Sequence, residues 1–207
     1  MYCHGFKNGH HPYNLHFICT MYHPTVMYRR HAVLSVGGYT QQYAEDYALF
    51  WELSQHYKIH EIEQVLLDYR MTNQSLHHAL HKTEYEWSHC EQVLRHVRFY
   101  MGDSYQINPN HLACICHFFE PLLLENSVQS IVECIEQLDN INQCILTKES
   151  VRQEYGSIQE AISYKRQFIL SYYILNLGRV KGMWLLIMTN SWNLLWLLLK
   201  NKLTIHK

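Results

Sequence analysis

Turn-forming residues are spread unevenly along this chain, and their placement limits the possible folds more than any other feature. All four prolines (Pro12, Pro24, Pro109 and Pro121) fall by position 121, and beyond it only Gly156, Gly178 and Gly182 interrupt the pattern. A long stretch without breakers predicts long helices, while the earlier part is punctuated often enough for short elements. The expected architecture is an α/β first segment to about Arg70 and a mainly helical remainder.

Local patterns fill in this outline. Leu15 to Arg29 is rich in β-branched and aromatic residues and is broken by His23-Pro24, which predicts two short strands around a turn. His31 to Val36 suits one helical turn closed by Gly37-Gly38, and Leu49, Phe50, Leu53 and Tyr57 follow Asp46 at helical spacing. Ile62 to Tyr69 reads as a buried strand. Further on, Trp87, Cys90, Leu94, Val97 and Met101 form one helical stripe, and Val128, Ile131, Val132, Ile135, Leu138 and Ile145 form another. Thr147 is the expected N-cap of a last long helix running toward Leu177.

With 207 residues, 48% hydrophobic and 17% charged, the chain can bury a core and is too apolar for disorder. Its 17 Lys+Arg against 18 Asp+Glu argue against a module driven by phosphate contacts, so no nucleic-acid partner is expected. Seven cysteines, an odd number without a CxxC pair, fit reduced thiols. Met1 to Gly5 has neither a basic n-region nor an apolar h-region, and the expected location is the cytoplasm, peripheral at the inner face of the membrane.

The membrane part of that expectation rests on Met183 to Leu199, a Trp- and Leu-rich run flanked by Arg179, Lys181, Lys200 and Lys202. A spanning helix wants about 20 mainly apolar residues; this run has 17, with Thr189, Asn190, Ser191 and Asn193 at its centre. Trp184, Trp192 and Trp196 beside basic flanks suit a helix lying in the membrane interface. A buried core helix, a contact surface for a partner and a true span are the alternatives.

The stretch from His23 to Gln74 holds most of the chemistry. Glu45 and Asp46 follow a Gly-Gly loop and open an amphipathic helix, whose N-terminus favours an ionised carboxylate. A proton acceptor fixed beside a loop is what general-base catalysis needs, although a plain capping role fits the same residues. Read in order, His23-Pro24-Thr25, Arg29-Arg30, Gly37-Gly38-Tyr39, Glu45-Asp46-Tyr47 and Tyr69-Arg70 resemble the second half of a family 2 glycosyltransferase domain, over about a quarter of the chain.

That resemblance implies a partial GT-A (nucleotide-diphospho-sugar transferase) α/β domain over residues 1–78 and a helical extension over 79–207. It implies inverting transfer of a sugar from a nucleotide-sugar donor to a glycan or lipid-linked acceptor. Asp46 would be the base and Glu45 a secondary acceptor contact; Gly37, Gly38 and Tyr39 would lie against the acceptor; Arg29, Arg30 and Arg70 would meet the diphosphate. A turn-forming role for the glycines and a solvated role for each arginine stand beside those assignments. Family members often carry His where this chain has Thr72. The family also uses a divalent cation, Mg or Mn, on an Asp-x-Asp motif, and this sequence contains no Asp-x-Asp and about 22 residues before His23. The expectation is a truncated transferase with little activity alone and an exposed sheet edge. The alternative is a non-catalytic remnant, or a helical protein that binds a partner or membrane.

Sixteen histidines also raise a metal reading. His10-His11 with His16 and Cys19, His77-His78 with His81, and Cys114-x-Cys116-His117 are the densest groups. His77 and His81 share a helical face, but no Glu stands as in His-Glu-x-x-His, and Cys114 and Cys116 are too close for a zinc-finger loop. The expected role of these histidines is structural or superficial, with no metal ligands among them.

Overall fold

The computed structural model describes residues 11–60, 62, 64–68, 82–149 and 155–194. The chain forms two compact units, Met1–Ser104 and Tyr105–Lys207. The first contains α1 (His11–Asn14), a 3-10 turn at His23–Thr25, α2 (Arg30–Ser35), α3 (Glu45–His56) and α4 (Lys82–Met101). The second contains α5 (Pro109–Ile115), α6 (Glu120–Leu124), α7 (Val128–Glu149), α8 (Tyr155–Asn176) and α9 (Arg179–Met188).

Every element among the described residues is helical, so the expected α/β, partial GT-A domain is not there, and neither is the sheet edge it would have exposed. The aromatic and β-branched residues between Leu15 and Arg29 do not enter a ladder. Leu15 and Phe17 are buried in a turn after α1, where the Tyr13 and Phe17 rings meet edge to face at 5.4 Å, and Pro24 sits in the 3-10 turn. Of the second expected strand, Ile62, Val65, Leu66 and Leu67 are exposed instead of buried, and Tyr69 lies outside the described residues. Side chains that suit a pleated surface also suit an aromatic cluster, and the partner strands that would have decided the matter are absent among the described residues.

The helices follow the sequence more closely. α2 ends where Gly37 and Gly38 take positive φ of 89° and 71°, and their N–H groups donate to the Leu34 and Val33 carbonyls. This is a Schellman closure, for which a residue without Cβ is suited. α7 buries Ile131, Val132, Ile135, Leu138 and Ile145 as its periodicity predicts. α4 turns differently from its apolar stripe: Trp87 is exposed, while Gln92, Val93, His96, Val97 and Tyr100 are buried. Thr147 is not an N-cap. It lies inside α7, where its hydroxyl donates to the Gln143 carbonyl one turn back.

In the second unit, α8 packs on α7 and α9, and the α8–α9 hairpin turns at Gly178 with φ 83°. The two helices approach so closely that a Cβ on Gly182 would lie 2.8 Å from the Ile174 carbonyl oxygen. Beyond α9, Arg166 ties the chain down, donating to the Thr189 carbonyl at 3.1 Å and to the Ser191 hydroxyl at 3.0 Å, and pairing with Asp139 at 3.3 Å. Lys165 is buried in the same unit and donates to the Ile115 carbonyl.

Alanine is the better helix former by roughly 1 kcal/mol, but at position 182 a backbone oxygen stands in its way. Gly182→Ala is expected to destabilise the protein by about 1–3 kcal/mol, the ordinary cost of overpacking. A lowered urea midpoint would show it; an unchanged or raised midpoint would contradict the close approach.

Candidate functional site

The site begins with how the first unit fixes α3. Two histidines, His16 and His96, are buried between the turn after α1, α3 and α4. Trp51 Nε1–H on α3 donates to His16 Nδ1 at 3.3 Å, so that nitrogen carries no proton, and His16 Nε2 faces the Tyr100 hydroxyl at 3.5 Å. His96 faces the His16 carbonyl through Nδ1 at 3.2 Å, which requires Nδ1–H. Its Nε2 therefore accepts from Gln92 Nε2 at 2.6 Å, and Gln92 Oε1 accepts from Gln41 at 2.8 Å. His96 also stacks on Trp51, with centroids 4.2 Å apart and planes within 11°. His89, two turns earlier on α4, contacts the Phe17 carbonyl at 2.9 Å.

These bonds satisfy both nitrogens of each ring in the neutral form. Burial lowers His16 to about 3. Burial, followed by the neighbouring His16, holds His96 well below the usual imidazole range, with His89 and Arg95 adding to the effect and the bond to the His16 backbone opposing it.

On this support, α3 presents Glu45 and Asp46 in its first turn. Its N-cap, Ala44, is left-handed (φ 54°, ψ 32°) and supplies no side-chain bond. Asp46 Oδ1 instead accepts from the Tyr47 N–H at 2.8 Å, taking up one of the unpaired donors at the helix start. Asp46 is thus not the N-cap but satisfies one donor from within the first turn, and both carboxylates are half-buried at the positive end of the helix.

Around them stand other residues of the sequence motif. The Tyr39 hydroxyl is 2.8 Å from His23 Nε2 and 2.8 Å from the Tyr28 hydroxyl, forming a chain of three polar groups at the surface. Desolvation, the Tyr28 hydrogen bond and the nearby Tyr28, Asp46 and Glu45 groups push Tyr39 up to about 12. Burial and the charge of Asp46 push the Cys19 thiol up to about 12 as well, with a backbone hydrogen bond at Met21 opposing them. Tyr39 and Cys19 therefore stay protonated at neutral pH. Tyr43 and Tyr85 meet edge to face at 5.1 Å, and desolvation, then the charges of Glu45 and Asp46, raise Tyr85.

The structure thus places His23, Tyr28, Tyr39, Glu45 and Asp46 in one electrostatic neighbourhood. Gly37 and Gly38 serve first as the closure of α2; Gly38 also lines a cleft of about 150 Å³ with Gln41, Trp51, Glu52, Gln92 and Arg95. Arg29 is the backbone N-cap of α2, and both Arg29 and Arg30 are exposed. Arg70, like Thr72 and the His77, His78 and His81 group, lies outside the described residues.

No three His, Cys, Asp or Glu among the described residues are arranged to hold a metal ion. The carboxylates at positions 45 and 46 belong to no such group among the described residues, so they do not make a ligand set for Mg or Mn. His16, grouped in the sequence with His11 and Cys19, belongs instead to the Trp51 network. His117 lies 3.0 Å from the buried Lys165 amine, which burial lowers to about 7 against the opposing influence of Cys116, Cys114 and Cys134. Tyr28 and Lys165 were missed by reading the sequence: Tyr28 stands beside Arg29 without a pattern of its own, and nothing local marks position 165 as buried.

The neutral imidazoles set an acid limit. Unfolding lets His16 regain its ordinary affinity for protons, so stability is full above about pH 6.5 and falls as pH drops toward 3. Between about pH 6.5 and 5 the loss from His16 is about 2 kcal/mol, and His96 adds in the same direction. A urea midpoint that falls steadily across this window is expected; a flat profile would contradict neutral burial.

Comparison with known proteins gives no family model, no curated protein and no solved structure that matches the chain. Together with the absence of any strand among the described residues, this overturns the resemblance to a family 2 glycosyltransferase and its GT-A fold.

Proposed function

We propose that the first unit binds a glycan or lipid-linked acceptor and removes a proton from its attacking hydroxyl, in an inverting sugar transfer from a nucleotide-sugar. The observation that carries this reading is the pair Glu45 and Asp46, held at the start of α3 beside the His23–Tyr39–Tyr28 chain. Tyr39 and Cys19 stay protonated, and the two carboxylates stand beside them as the proton acceptors of this reading.

In the proposed step, the acceptor O–H gives its proton to the Asp46 carboxylate as the oxygen bonds to the anomeric carbon. The bond from that carbon to the diphosphate breaks, and its electron pair leaves with the nucleoside diphosphate. Tyr39 and Tyr28 offer hydroxyls to a polyhydroxylated acceptor, and Arg29 and Arg30 are assigned to the diphosphate. The reading puts the chain in the cytoplasm, where it meets nucleotide-sugars, and peripherally at the inner membrane face.

A second reading is a non-catalytic helical protein that binds a partner or a membrane. The cleft of about 150 Å³ favours it, being smaller than the roughly 300 Å³ at which small-ligand sites begin.

Nucleoside diphosphate release from nucleotide-sugars, with and without glycan acceptors, separates the two. Asp46→Asn is expected to cut the rate by about 10²–10⁴-fold, the range of a positioned base, with an unchanged circular dichroism spectrum. Tyr39→Phe is expected to weaken acceptor binding chiefly. Absence of donor binding and of release in the full chain would turn the assignment to the second reading, and an unaffected Asp46→Asn rate would remove Asp46 as the base.

A further inference from the structure

The geometry points to the outer face of α9 as a docking surface for an anionic phospholipid bilayer. This inference rests on the peripheral location in the proposed function and not on its chemistry.

α9 divides its apolar residues between two faces. Gly182, Leu185 and Leu186 turn inward and are buried, with Gly182 against the α8 backbone. Val180, Met183, Trp184, Ile187 and Met188 fall at the i, i+3, i+4, i+7, i+8 positions of the opposite face, and Trp192 continues the surface beyond the helix. Val180 is 84% exposed, Trp184 54% and Trp192 50%. An apolar outer stripe on a helix that already has an apolar inner stripe is not needed for packing within its unit.

Charge selects the occupant. After Glu160 the sequence has no acidic residue, but it has seven Lys or Arg: Lys165, Arg166, Arg179, Lys181, Lys200, Lys202 and Lys207. Lys165 is buried and Arg166 pairs with Asp139, which leaves Arg179 and Lys181 among the described residues. Arg179 is exposed at the first position of α9, next to Val180, and Lys181 is half-buried and bonds the neutral Asn126. A Trp- and Met-bearing apolar stripe in a basic, acid-free segment fits the headgroup boundary of a negatively charged leaflet. No helix among the described residues is long and apolar enough to cross the bilayer, and the proposed contact is along the surface.

The helix is tied to its unit at two places. The Gly182 contact fixes α9 on α8, and Arg166 holds Thr189 and Ser191 at its far end. Trp184 and Ile187 can therefore be changed without opening the core.

Flotation of the full chain with vesicles tests this. Binding is expected to vesicles of phosphatidylcholine mixed with phosphatidylglycerol, to weaken with added salt, and to be poorer with phosphatidylcholine alone. The double variant Trp184→Ser, Ile187→Ser is expected to bind about tenfold or more weakly, with the wild-type circular dichroism spectrum and thermal midpoint. Arg179→Glu tests the charge and should lower anionic-vesicle binding with the stripe intact. Equal flotation of wild type and double variant would overturn the proposal, as would a wild-type self-association in sedimentation equilibrium that the double variant abolishes, since a second copy would then be the occupant. No sugar is present, and Asp46→Asn should float like wild type, so failure here is distinct from failure of the catalytic reading.

Discussion

The first unit depends on two imidazoles that stay neutral. His16 comes from the turn after α1, His96 from α4, and Trp51 from α3 bonds one ring and stacks on the other. Through this contact, three segments up to 80 positions apart share one polar core. Each ring nitrogen has a partner, so burial costs little while the rings are neutral and a great deal once either is charged. The orientation passes outward through Gln92 to Gln41, in the segment that leads from the Gly37-Gly38 closure to the start of α3. The carboxylates at 45 and 46 are thus placed by a network that contains neither of them.

The second unit is organised by a close approach. The absence of a Cβ at Gly182 lets α9 lie on the α8 backbone, and Leu185 and Leu186 then reach the core. A buried lysine among cysteines, Lys165, is the least expected feature of this core. Its amine is served by the Ile115 carbonyl and by His117, so a helix backbone and a ring replace the water it gives up.

Local chemistry was legible in the sequence, and long-range chemistry was not. The glycine closure of α2, the acidic start of α3 and the α7 stripe each follow from residues within two turns of one another, and each is found. The buried face of α4 was misread because Gln92 and His96 count as polar until their partners are known. The strands expected around Leu15 to Arg29 and from Ile62 failed for a related reason: β propensity describes a surface that pairs, and these residues have aromatic neighbours or solvent instead. At the candidate site, His23 contacts Tyr39 and the charges of Asp46 and Glu45 act on it, while the fold implied by the order of these residues did not hold. Spacing along a chain can mark which residues meet without fixing the architecture that brings them together.

The neutral imidazole pair is the claim on which the position of α3 rests. Long-range proton–nitrogen correlation spectra of the full chain at about pH 6 would report it directly. The account predicts a neutral His16 protonated at Nε2 and a neutral His96 protonated at Nδ1. An imidazolium signal from either residue, or the opposite tautomer at His16, would contradict it.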